Sequence, residues 1–329
     1  MQIVLDRFEI ARPLARGGMG MVHLARDLST GREVVVKVLR ADVDVDGAAA
    51  RFEHEIEVGR AMSHALVPRL VAEGTWAGQR VTATEYVDGV NLGMLVASLG
   101  ERLPTSTAVS IIVDVLSALH EAHCLVADDG APRGLVHRDV SPQNIVCDRR
   151  GRGWLIDFGV STDRAFADHT PGVLIGKLAY MAPEQACGFE VDGRADQFAA
   201  GVVLWELLSG RRLVTGVGDR EVWEKVVACD IPNLADVCDV DVGIADVVAR
   251  MLSPKRTRRF ATCAAAADAL LAAAPELGPA LVPAVAALLE SRASMSAPAT
   301  VLLMPEADVD AADSRPATRP CFSHGRLEH

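Results

Sequence analysis

A cluster of glycines separates two apolar runs near the start of the chain, in Leu14-Ala15-Arg16-Gly17-Gly18-Met19-Gly20-Met21-Val22. Without a Cβ, backbone N–H groups can close on phosphate oxygens, although glycine-rich loops also serve as plain turns. Lys37 ends the run Val34-Val35-Val36-Lys37. A lysine in a half-buried strand either snorkels to solvent or pairs with a phosphate and a carboxylate. Glu55, on the helical stretch that follows, is placed to be that carboxylate. Further along stand His137-Arg138-Asp139-Val140-Ser141-Pro142-Gln143-Asn144, then Asp157-Phe158-Gly159, then Ala182-Pro183-Glu184. Asp139 has the chemistry to accept a proton from a hydroxyl. Asn144 and Asp157 offer the hard oxygens that magnesium prefers. His137 reads as a packing residue rather than a base. A phosphate cradle, a cation, a proton acceptor and metal-binding oxygens follow one another in a single chain.

Two kinds of scaffold must hold these groups. Phe8–Leu14, Met21–Ala25, Glu33–Leu39, Arg69–Glu73 and Arg80–Tyr86 read as short strands, and Asp88-Gly89 as a break. Between them Ala48–Met62 reads as a helix, with Phe52, Ile56 and Val58 among its apolar positions. From Leu92 onward helical spacing dominates. Thr107–His123 repeats Val109, Ile112, Val113, Leu116 and Leu119 along one face, and Gln197–Leu208 is apolar nearly all round. Cys124–Gly134 reads as a surface hairpin and Ala264–Ala274 as the last helix. The expected division is a sheet-rich unit over 1–87, a helical unit over 88–274 and an Ala/Pro-rich, partly flexible extension over 275–329.

The 329 residues carry 44 acidic and 33 basic side chains, a net charge of −11. That balance argues against nucleic acid or an anionic membrane as the main partner. Half the residues are hydrophobic, which excludes a disordered chain. No run approaches the roughly 20 apolar residues of a spanning helix, and Asp6, Arg7 and Glu9 break any signal-like core. Seven cysteines without a C-x-x-C pair read as reduced thiols, so a cytoplasmic location is expected. His120, His123 and Cys124 have metal-like spacing, but end a helix expected near the surface, where zinc is the weaker reading. The basic run Lys255–Arg259 reads as a solvated turn around one buried arginine.

The order of these motifs resembles the eukaryotic-like serine/threonine protein kinases of bacteria, over about Phe8 to Leu271. Tyr180–Gln185 (YMAPEQ), Arg194–Gly210 and Arg258–Phe260 carry the same resemblance, and HRDVSPQN is similar to kinases of myxobacteria. It implies an α+β, two-lobed protein-kinase fold, with a small β-rich N-lobe holding one main helix and a larger helical C-lobe. It also implies ATP and Mg2+ as the groups bound and a Ser/Thr-bearing protein as substrate. The kinase itself would be among its substrates, with a homodimer for autophosphorylation. Around ATP it would place Leu14, Ala15, Arg16, Gly17, Gly18, Met19, Gly20, Val22 and Val35, with Thr84 guarding the back of the pocket. Glu85 and Val87 would offer backbone groups to adenine. Lys37 would meet the α and β phosphates while paired with Glu55. Asp139 would be the catalytic base, and Asn144 and Asp157 the magnesium ligands. Glu184 would pair with Arg259, and Asp196 would hold the catalytic-loop backbone. Arg138 implies control by phosphorylation, with Thr170 as first candidate and Ser161 and Thr162 behind it.

Four positions depart from the family pattern. Ala15 replaces a glycine. Val35 replaces an alanine against adenine, at a cost of about 1–3 kcal/mol if the pocket cannot relax. Ser141 stands where a lysine is usual and Lys177 where a threonine is usual. The last two suggest an exchange, with Lys177 supplying the charge and Ser141 the hydroxyl; otherwise Lys177 is solvent-exposed and the charge is lost. These departures keep two alternatives open: a nucleotide-binding pseudokinase scaffold and a small-molecule phosphotransferase.

Overall fold

The computed structural model describes residues 2–17, 20–39, 48–99, 102–127, 129–158 and 175–274. Six antiparallel strands form the first sheet: β1 (Ile3–Val4), β2 (Phe8–Gly17), β3 (Gly20–Asp27), β4 (Glu33–Leu39), β5 (Leu70–Trp76) and β6 (Gln79–Glu85). Their order is β1-β2-β3-β4-β6-β5, and helix α1 (Ala48–Ala61) lies between β4 and β5 in the chain. Strand periodicity decides what each residue faces. Val34, Val36 and Val38 are buried in this lobe's core, so the alternate positions Val35 and Lys37 face the other way. The register sets Val22 opposite Lys37, and Lys37 opposite Thr82.

Strands β2 and β3 run further than the sequence pattern predicts, because pairing continues to Gly17 opposite Gly20. Backbone hydrogen bonds, which need no apolar side chain, carry the hairpin to that point. Gly20 cannot be replaced there: an added Cβ would fall on the Val38 carbonyl oxygen.

The second lobe begins with β7 (Gly89–Asn91), α2 (Leu92–Leu99) and α3 (Thr105–His123). Strand β8 (Ile145–Asp148) pairs with β7 on one side and with β9 (Gly153–Leu155) on the other, in a three-stranded sheet. Then come α4 (Ile175–Leu178), α5 (Pro183–Ala186), α6 (Gly193–Ser209), α7 (Asp219–Ala228), α8 (Leu234–Val237), α9 (Val242–Met251) and α10 (Cys263–Ala273). Every residue of α6 from Ala195 to Leu208 is buried, as its all-round apolar composition predicts. Asp192 caps its start by accepting from the Arg194 amide, and Gly210 ends it at φ +68°. Helix α3 packs on α6 and α10. The core of this lobe continues into the first through Val58, Met62 and Val67, and the Leu155 amide donates to the Leu66 carbonyl. The hairpin expected at Cys124–Gly134 is present, bridged from Val126 to Pro132.

Candidate active site

The cleft between the sheets is lined on one side by Leu14, Ala15, Val22, Val35 and Thr84, and on the other by Val146 and Leu155. Two apolar walls suit a flat ring system. Glu85, Tyr86 and Val87 close one edge. The Glu85 amide already donates to the Arg69 carbonyl, so a ligand bond from Glu85 must use its carbonyl. Gly18 and Met19 lie outside the described residues, and Arg16 and Gly17 are described only by their backbone.

At the polar end, Lys37 Nζ donates to Glu55 Oε2 at 2.6 Å and lies 3.9 Å from Asp157 Oδ1. Burial works against the ammonium, but the Asp157 and Glu55 carboxylates more than offset it and hold the Lys37 pKa above the ordinary lysine value. A permanently charged group therefore faces the cleft between two helical and loop carboxylates.

The loop ahead of β8 carries Asp139, whose side chain is only 7% exposed. Asn144 Nδ2 donates to the Asp139 carbonyl and to Asp139 Oδ2, both at 2.8 Å. Both partners are acceptors, so the amide nitrogen must face them and Asn144 Oδ1 is the atom left to bind a cation. With the Asp157 carboxylate, this donor set is all hard oxygen and fits a divalent metal such as magnesium.

A second tier holds this loop. Asp196, at the start of α6, accepts from the His137 amide at 2.8 Å and the Arg138 amide at 2.7 Å. Gln185 Nε2 donates to the Arg138 carbonyl at 2.9 Å. Arg138 and Asp157 both adopt positive φ, +62° and +59°. Such backbone persists only where its surroundings over-determine it, and for Arg138 these bonds do so. His137 is fully buried and packs on Phe158 with ring centroids 4.7 Å apart, so it ties the Asp139 loop to the Asp157 loop as a packing residue.

His123 requires a correction. Its position at a helix end suggests the surface, yet Nε2 lies 2.7 Å from Asp196 Oδ2 and the side chain is 14% exposed. An added Cβ at Gly193 would strike this imidazole, so the glycine makes room for it. Burial alone would push the Asp196 carboxyl up, but the His123 bond and the neighbouring His137 hold its pKa below the ordinary value. No signal in the sequence pairs His123 with Asp196, and none marks Gln185. No group of three or more His, Cys, Asp or Glu side chains that could hold a metal ion occurs among the described residues.

Glu184 and Arg259 meet in a two-pronged bond at 2.6 and 2.8 Å. Arg259 also donates to the Ser253 and Arg194 carbonyls and lies over the Phe198 ring, so a fully buried cation is satisfied on several sides. Lys177 Nζ donates to Asp139 Oδ2 at 2.6 Å. Ser141 Oγ is buried without a hydrogen-bond partner among the described residues, so the structure does not set the serine hydroxyl against Asp139. Thr170, Ser161 and Thr162 lie outside the described residues.

Two lobes, a cleft with a charged floor and a loop that presents a buried aspartate define a protein kinase domain. A model of that domain matches residues 8–271, and the chain belongs to the protein kinase family. It is 36% identical over 270 residues to the serine/threonine-protein kinase PknB of Mycobacterium tuberculosis, covering 79% of this chain and 41% of that one. From Myxococcus xanthus, the serine/threonine-protein kinase pkn2 is 33% identical over 301 residues, covering 85% and 35%. Pkn1 of the same organism is 32% identical over 280 residues, covering 82% and 38%. The chain thus spans between about one-third and two-fifths of the length of these relatives. Membership of the family implies use of ATP, generally with a divalent metal. No described helix is long and apolar enough to cross a membrane.

Proposed function

We propose that this domain transfers the γ-phosphoryl group of ATP to serine or threonine hydroxyls of proteins, its own chain among them. The observation that carries the reading is the Asp139 carboxylate, with Oδ2 held by Asn144 and Lys177 and Oδ1, to which no described residue donates, placed to receive a hydroxyl proton. The acceptor oxygen bonds to phosphorus as the bond from phosphorus to the leaving ADP oxygen breaks, and the hydroxyl proton passes to Asp139. Lys37, kept charged by Glu55 and Asp157, orients the phosphates. Asn144 Oδ1 and the Asp157 carboxylate would hold Mg2+, which when bound neutralises phosphate charge. The apolar walls receive adenine, with Val35 setting the width of the slot. Glu184, Arg259 and Asp196 brace the platform on which a protein substrate lies. We also propose residues 1–87 and 88–274 as the two lobes and 275–329 as an appended extension.

The test is transfer of labelled γ-phosphate from magnesium ATP to the purified protein and to a basic protein substrate, beside Asp139→Asn. Transfer that the substitution abolishes is the expected result. ATP binding without transfer would instead indicate a nucleotide-gated scaffold. A catalytically dead copy mixed with the active chain tests whether autophosphorylation passes between molecules, as a homodimer would allow.

A further inference from the structure

Resting on the phosphotransfer reading above, we propose that Lys177 is a catalytic residue. It is the cation that meets the transferring phosphoryl group, and it is carried by α4 rather than by the loop that carries Asp139. Its Nζ lies 2.6 Å from Asp139 Oδ2, and its side chain is 46% exposed against 7% for the aspartate. The long stem therefore reaches in from solvent and sets its head on the base. A hydroxyl giving its proton to Asp139 sits about 2.6–3.2 Å from the carboxylate. Its oxygen stands about 3–3.5 Å from the phosphorus it attacks. An ammonium bonded to that carboxylate is one rotamer change from the phosphoryl oxygens, and only one of its three N–H bonds is used on Asp139.

Neither of the other candidates fills this place. Lys37 is engaged by Glu55 at 2.6 Å and lies 3.9 Å from Asp157. On the Asp139 loop itself, Ser141 is 1% exposed and its hydroxyl bonds to nothing among the described residues, so it brings no charge to the base. Lys177 shares Oδ2 with Asn144, and no described residue donates to Oδ1, the oxygen that takes the substrate hydroxyl. The lysine orients the base without blocking it.

The test compares wild type with Lys177→Thr, Lys177→Arg and the exchange Ser141→Lys with Lys177→Thr, all in the full chain. Steady-state kinetics are measured beside calorimetric affinities for adenylyl imidodiphosphate and for ADP. Lys177→Thr should lower kcat by roughly 10²–10³-fold, as loss of one preorganised charge does, with KM for the protein substrate little changed. It should also reduce the preference for the triphosphate over the diphosphate. Lys177→Arg and the exchange should each restore part of both. Wild-type kcat and wild-type triphosphate preference in Lys177→Thr would overturn the proposal. So would equal losses in Lys177→Arg with no recovery in the exchange, which would leave Lys177 a packing role. A wild-type chain that transfers no phosphate would defeat the kinase reading alone, because the triphosphate preference would still report on Lys177.

Discussion

Lys37 loses hydration inside the cleft, and the carboxylates of Glu55 at 2.6 Å and Asp157 at 3.9 Å keep it charged. Replacing it by methionine keeps the volume and removes the charge. Lys37→Met should lower kcat by roughly 10²–10³-fold, measured under saturating ATP, and weaken nucleotide binding in a separate titration. The Cys147 thiol obeys the same balance with no cation to help. Cys147 is fully buried and its pKa is pushed up to about 12 by burial and by Asp148 and Asp114. A maleimide at pH 8 should therefore modify exposed Cys124 in the folded protein and leave Cys147 unlabelled. Peptide mapping with and without denaturant checks this.

Between elements, contacts of α3 with α6 decide where the catalytic loop sits. His123 closes α3 and holds Asp196, and Asp196 in turn holds the His137 and Arg138 amides. His123→Ala should cost about 1–3 kcal/mol, the penalty for a buried polar group left under-satisfied, read from urea denaturation. Displacing the loop by even 1 Å can cost about 10²-fold in turnover, so kcat should fall while nucleotide affinity holds. The anchor of α5 is stiffer still. Arg259→Met leaves Glu184 buried without its cation and should destabilise the domain by about 3–5 kcal/mol, with the same denaturation readout.

Across the whole molecule, each lobe has its own core and its own electrostatic fastening. In the smaller lobe Asp27, at the end of β3, accepts from Arg7 Nε and Nη2, from the Ser29 amide and hydroxyl, and from the Thr30 hydroxyl. The Arg7 bonds, with those from Ser29 and Thr30, hold its pKa far below the carboxylate range. A carboxylate depressed on folding stabilises the folded state above its unfolded pKa, about 3.9, and loses that contribution as pH falls below it. Asp27→Asn should thus be less stable than wild type at pH 7, and the gap should shrink as pH is lowered from 4 toward 2. Thermal unfolding across that range checks the sign.

Much of the site is written locally. The glycine hairpin, the Val34–Lys37 alternation and the loop from His137 to Asn144 each place their chemistry through backbone geometry over a few residues. Periodicity of two or of 3.6 residues is legible in one dimension. For the same reason β2 to β6, α1, α3 and α6 fall close to where their patterns put them, whereas β1, β7, β8 and β9 carry too few residues to show a pattern. The extension of β2 and β3 to Gly17 and Gly20 was not legible, because pairing of two backbones has no side-chain signature. Nor were His123 on Asp196 or Gln185 on the Arg138 carbonyl, whereas the reach of Lys177 to Asp139 was suggested only through the exchange with Ser141 that the family resemblance marks. Those partners are 73, 47 and 38 residues apart. Their distances depend on how the helices pack and on space that residues such as Gly193 leave open. The amino-acid sequence determined which chemical groups this protein has and the local shape of the loops that carry them. The tertiary structure decided which of those groups touch, because close packing of distant segments converts a 2.6 Å approach into a catalytic arrangement.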